Sequence, residues 1–220
     1  MYFDGMSLTT SIVRAKEHGS PFWMMVLHGL GDSMEGYQWF PDQMNLPWLN
    51  YVLVNAPDPY FTGFSWFDIQ GDHEEGIARN RQLLFQTIEK VCETEGIEPS
   101  HLFIFGFSQG CVMTIETGMR FPHLLAGLIG VSGFVHRPES LLAEAQPHAK
   151  THPFLLTHGS FDAVIPHSPV EKQVDRLAEA GIRCQWKVFP KEHTIYGEVE
   201  LQLYREFLEE IRAGLQPAEG

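Results

Sequence analysis

Short unbroken apolar runs alternate along this chain with longer stretches in which apolar residues recur every three or four positions. Residues 22–27 (FWMMVL), 51–54 (YVLV), 102–107 (LFIFGF), 125–131 (LAGLIGV) and 153–157 (PFLLT) are continuous and of strand length. That is the pattern of strands covered on both faces. Residues 184–189 (CQWKVF) alternate and read as a further strand. Between the runs, Ile77, Leu84, Ile88 and Val91 form one helical face over residues 76–95, ended by Gly96. Val112, Ile115 and Met119 form a second, stopped by Pro122, and Val170, Val174 and Leu177 a third, ended by Gly181. Val199, Leu203, Phe207 and Ile211 form the last. Ser168-Pro169-Val170-Glu171 reads as a capping box with Pro at the first helical position.

The remaining segments are weaker. Residues 34–50 predict a short helix, and 133–151 are mostly polar with a short helix near Leu141. Residues 55–59 (NAPDP) predict a loop, as do the aromatics of 60–67, which Gly63 interrupts. Residues 1–20 allow a weak strand or hairpin, and 216–220 predict a disordered tail. Strand and helix alternate throughout, so the fold class expected is α/β, with a mostly parallel central sheet and helices on both faces.

Composition narrows the picture. At 220 residues the chain fits one domain, 1–220, with a single substantial core. A net charge of −13 disfavours nucleic acid and strong attraction to anionic membranes. Cys92, Cys111 and Cys184 are widely spaced and match neither a disulfide framework nor zinc spacing; the first two fall in apolar helical patterns and read as packing. No basic start followed by an apolar run marks a signal peptide, and no stretch reaches 18 apolar residues. The expectation is a cytoplasmic protein without stable membrane insertion.

Candidate chemistry centres on Gly106-Phe107-Ser108-Gln109-Gly110, a G-x-S-x-G motif between a strand and a helix. In that setting a sharp turn presents the Ser hydroxyl at the end of the sheet, with free helix N–H groups beside it. A serine nucleophile needs a base, and the base an orienting acid, in the chain order Ser, Asp or Glu, His. Only Asp162 and Asp175 follow as aspartates. Asp175 falls inside a helix beside Arg176, whereas Asp162 follows the strand 153–157, at the sheet edge where ligands bind. Of the histidines beyond it, His167 reads as loop or surface, and His193 follows the strand 184–189 at that same edge. Ser108, Asp162 and His193 are thus the expected catalytic residues. The oxyanion of a tetrahedral intermediate needs preorganised N–H donors, expected from Gln109 and from Leu30 in the turn His28-Gly29-Leu30-Gly31.

With HGLGD at 28–32, SWFD at 65–68, GFSQG at 106–110, HGSFDAVIP at 158–166 and the His193 segment in this order, the chain resembles the phospholipase/carboxylesterase family of α/β-hydrolases, which includes acyl-protein thioesterases. The resemblance spans roughly residues 20–213. It implies the same triad and oxyanion donors, and a serine hydrolase that cleaves esters or thioesters through an acyl-enzyme. It departs from the family at Cys111, where a second glycine is usual, and at Lys191-Glu192 before the histidine.

Met34, Tyr37, Trp39 and Phe40, then Phe64, Trp66 and Phe67, lie on loops expected at the catalytic edge; Met34, Trp66 and Phe67 are read as lining an acyl groove. Residues 133–151 are too few for a lid domain, so the groove is expected to be open to small esters or bulkier acylated substrates. No cofactor or metal is called for, and a monomer or weak homodimer is expected. Two rivals are a non-catalytic binding module that keeps the fold, against which the intact Ser, Asp and His argue, and a metal-dependent hydrolase. The acid–His clusters Asp72-His73-Glu74 and His148/His152 lack metalloprotease spacing.

Overall fold

A computed structural model describes residues 8–215. The expected tail 216–220, and residues 1–7 of the ambiguous start, lie outside the described residues. The strands are β1 (Thr10–Val13), β2 (Trp23–Leu27), β3 (Asn50–Val54), β4 (Asp58–Tyr60), β5 (Gly63–Ser65), β6 (Leu102–Phe107), β7 (Gly127–Val131), β8 (Phe154–Gly159) and β9 (Cys184–Phe189). The helices are α1 (Phe40–Met44), α2 (His73–Glu95), α3 (Gln109–Arg120), α4 (Pro138–Glu144), α5 (His167–Glu179) and α6 (Gly197–Leu215).

Seven strands form one sheet in the order β1-β3-β2-β6-β7-β8-β9. β1 runs antiparallel to β3, and every other neighbouring pair in this sheet is parallel. The apolar runs are continuous because the sheet is packed on both faces. Side chains alternate along each strand, so Trp23, Met25 and Leu27 of β2 join one core while Met24 and Val26 join the other. β6 divides likewise, Leu102 and Ile104 against Phe103 and Phe105. The first core is closed by α2, α3, α4 and α5, the second by α1 and α6. Among the described residues no helix is long and apolar enough to cross a membrane.

Local readings fare unevenly. α2 starts at His73, ahead of the expected Gly76, because Asp72 caps it by accepting from the Glu74 N–H at 3.0 Å; Gly96 closes it at φ 65°. α5 exists, but its capping box does not: the helix starts at His167 with Pro166 at the cap and no side-chain bond, so Ser168 lies inside the first turn. Residues 58–65 are not plain loop but an antiparallel hairpin, β4–β5, of three residues per strand. α6 forms with its buried stripe rotated to Leu201, Tyr204, Phe207 and Leu208, leaving Val199 61% exposed. Glu200 on that side points inward, its carboxylate holding Lys191 Nζ at 2.6 and 2.8 Å with both side chains fully buried.

Candidate active site

Parallel strands end together, so the turns after β2, β6, β8 and β9 meet at one edge of the sheet. There β6 turns into α3 through Ser108, a non-glycine residue at φ 54°, ψ −116°. Such a conformation costs on the order of 1–3 kcal/mol and persists only where its surroundings enforce it. The flanking glycines are part of that enforcement. A Cβ on Gly106 would stand 2.1 Å from Gly110 O, and one on Gly110 would stand 2.1 Å from Leu27 O. The Ser108 N–H is tied to Val131 O at 2.9 Å.

Ser108 Oγ lies 2.9 Å from His193 Nε2, and His193 Nδ1 lies 2.7 Å from Asp162 Oδ2. The Asp162 side chain has no exposed surface. Burial pushes its carboxyl up, but hydrogen bonds from the Ile165 N–H, His193 and the Val164 N–H outweigh it and hold Asp162 below its ordinary value. A carboxylate only accepts, so His193 donates from Nδ1, and the neutral ring offers Nε2 to the Ser108 hydroxyl. A serine so placed can attack a carbonyl carbon while the imidazole takes its proton. Asp175 and His167 lie on α5, Asp175 exposed to solvent. Cys111, just behind Ser108, is buried, and burial pushes its thiol up to about 12.

Two N–H groups flank the serine. Gln109 opens α3, so its N–H has no partner within the helix. Leu30 follows β2 in a turn brought against the serine by Gly29, where a Cβ would stand 3.3 Å from Ser108 Cβ. Among the described residues no acceptor takes the Leu30 N–H. The β4–β5 hairpin buttresses this turn. Phe64 O accepts from the Gly31 N–H at 2.8 Å, and the Phe64 N–H donates to Asp32 O at 2.9 Å. The Gln109 side chain ties the hairpin back to α3, accepting from the Trp66 N–H at 2.9 Å and donating to Phe67 O at 2.8 Å.

That arrangement corrects two expectations. Trp66 and Phe67, 0% and 2% exposed, belong to the core and cannot line an open groove. The Trp66 indole N–H donates to His28 O at 2.9 Å. Met34 is half-buried against the second core, its N–H on Asn55 Oδ1, and does not line the cleft beside His193. That cleft, of about 550 Å³, is walled by Tyr37, Trp39, Phe107, Ile195 and Leu201, with Asp32, Gln43 and Glu198 supplying polar groups. Of these, sequence reasoning noted Tyr37 and Trp39 and missed the rest. Ile195, Glu198 and Leu201 closely follow His193 in sequence, which is the signal that could have found them.

The sequence profile of the phospholipase/carboxylesterase family matches residues 9–212. Acyl-protein thioesterase 1 of Schizosaccharomyces pombe is 30% identical over 156 residues, 65% of this chain and 69% of that protein. Carboxylesterase SOBER1 of Arabidopsis thaliana is 27% identical over 184 residues, 76% of this chain and 81% of that one. Among solved structures, esterase PE8 superposes with a TM-score of 0.81 at 27% identity, covering 94% of this chain and 100% of its own. The Arabidopsis thaliana SOBER1 structure gives 0.79 at 25%, covering 87% and 99%. With the α/β-hydrolase fold in place and the profile spanning nearly the whole chain, this protein belongs to the phospholipase/carboxylesterase family.

Proposed function

We propose that this protein hydrolyses carboxylic esters or thioesters of acyl substrates through an acyl-enzyme on Ser108. Ser108 Oγ attacks the carbonyl carbon as His193 Nε2 takes its proton; the Leu30 and Gln109 N–H groups receive the oxyanion. Collapse expels the alcohol or thiol, protonated by His193. Water, deprotonated by the same nitrogen, then attacks the acyl-enzyme, releases the acid and returns the proton to Ser108. Asp162 holds the ring in the working tautomer and stabilises the imidazolium. The observation that carries this reading is the unbroken chain from Asp162 to His193 to Ser108, at 2.7 and 2.9 Å, beside the Leu30 and Gln109 N–H groups, which can donate to a developing oxyanion.

The cleft beside His193 supports acyl substrates, since its walls are apolar while Asp32, Gln43 and Glu198 give it a polar side. The acyl-protein thioesterase and carboxylesterase names of similar proteins agree with this class. Turnover of p-nitrophenyl acyl esters and acyl thioesters by wild type and Ser108→Ala tests it. The variant should lose activity on the order of 10⁶-fold, the scale seen when a serine nucleophile is removed from such a triad. Turnover within tenfold of wild type would rule Ser108 out.

A further inference from the structure

His28 precedes the turn that carries Leu30, and only 1% of its surface is exposed. Both ring nitrogens are engaged. The Ala56 N–H, just past β3, meets Nε2 at 3.0 Å. A backbone N–H only donates, so Nε2 accepts and bears no proton. In the neutral ring the proton is then on Nδ1, which lies 2.6 Å from Gly29 O, a group that only accepts. Burial lowers the His28 pKa, against smaller opposing effects from the Gly29 hydrogen bond and from Asp32 and Glu35, in keeping with the neutral ring that the two hydrogen bonds require.

The Gly29 carbonyl and the Leu30 N–H are two ends of one peptide unit, trans like every described peptide in the chain. A peptide unit is planar, so fixing the direction of its C=O fixes that of its N–H, which points the opposite way. A donor on the C=O also polarises the unit and strengthens its N–H as a donor. We propose that His28 is a positioning residue for the oxyanion hole: the Ala56 N–H sets its tautomer, and its Nδ1–H pins Gly29 C=O so that the Leu30 N–H is aimed at the developing oxyanion. The neighbouring peptides are held as well, with His28 O on the Trp66 indole at 2.9 Å and the Gly31 N–H on Phe64 O at 2.8 Å. The inference rests on the catalytic reading above.

Two amide substitutions separate the roles of the two nitrogens. In His28→Gln the side-chain oxygen reaches the Nε2 position and can still accept from Ala56, but nothing donates to Gly29 O. In His28→Asn the side-chain N–H reaches the Nδ1 position and can still donate to Gly29 O, while Ala56 loses its acceptor. Removing an oxyanion donor outright costs about 10²- to 10³-fold in kcat, so mis-aiming one should cost about 10- to 100-fold. The Gln variant should therefore keep a melting temperature near wild type and a KM within about threefold, with kcat down by that factor. Its affinity for an acyl trifluoromethyl ketone, which forms the oxyanion covalently, should fall in parallel. The Asn variant should melt lower yet recover most of the lost kcat.

If His28 is merely structural, kcat follows melting temperature and Asn is the worse variant; that order overturns the inference, as does wild-type kcat in the Gln variant. Ser108→Ala run alongside keeps the failures apart. Full activity in Ser108→Ala sinks the catalytic reading, whereas an inactive Ser108→Ala with an active Gln variant sinks only the role of His28.

Discussion

At the scale of single residues, the proposed site works by dividing the two carboxylate oxygens of Asp162 between backbone and histidine. Asp162 Oδ1 accepts from the Val164 and Ile165 N–H groups at 2.9 and 2.8 Å, which leaves Oδ2 for His193. Asp162→Asn can present an N–H to His193 and favour the wrong tautomer. It should fold and lose about 10³- to 10⁴-fold in kcat with little change in KM. Steady-state kinetics on a short-chain ester checks this, and Asp175→Asn on exposed α5 should be indistinguishable from wild type. That Ser108, Asp162 and His193 would meet was legible in the sequence because each sits at a fixed place relative to a strand end. His28 was not, since its tautomer depends on an N–H 28 residues away that no spacing announces.

Elements show where pattern reading stops. Continuous apolar runs identified the buried strands because both faces of the sheet are covered, and helical spacing found α2, α3, α5 and α6. The β4–β5 hairpin escaped because strands of three residues carry no period, and Trp66 and Phe67, which follow it, were read as groove when they are core. Trp66→Ala should thus act on stability, lowering the free energy of unfolding by about 3–5 kcal/mol, the range for emptying a buried aromatic site. Urea denaturation measures this; an unchanged midpoint with altered acyl-chain preference would return Trp66 to the groove.

The rotated face of α6 has a related cause, the inward-facing Glu200. Its partner Lys191 also connects the loops of Asp162 and His193, since the Phe161 N–H donates to Lys191 O at 3.1 Å. Lys191→Met leaves a buried carboxylate unpaired and should cost about 3–5 kcal/mol, whereas Lys191→Met combined with Glu200→Leu should recover most of it. Equal losses in the single and double variants, measured by denaturant unfolding, would contradict that account.

Over the whole molecule, the alternation of strand and helix gave class and layering, while charge and composition said little about the site. Burial also sets a pH dependence. His28, His152 and His158 are each held below their ordinary value, chiefly by burial, His152 at about 4 with the nearby His148 adding to the effect. Unfolded, each titrates near 6.5. Between those values the unfolded chain binds more protons than the native one, so stability rises with pH. Their contribution is full above about pH 6.5 and is lost as pH falls through the lowered native values. Each histidine can add up to about 1.4 kcal/mol per pH unit to the slope. Unfolding free energy should drop from pH 7 to 5, and His152→Gln, which can still accept the Leu125 N–H, should flatten that drop. Stability that is level or rising on acidification would contradict this.

The central claim, that Ser108 is the nucleophile of an ester-cleaving triad, is tested most directly by labelling with a fluorophosphonate, which phosphonylates an activated serine. Incubation of the full chain, followed by peptide mass spectrometry and residual-activity assay, should give one adduct per molecule, on Ser108, with hydrolysis lost in proportion to labelling. Labelling should collapse in His193→Ala. No adduct at Ser108, or a fully labelled protein that still hydrolyses esters, would contradict the account.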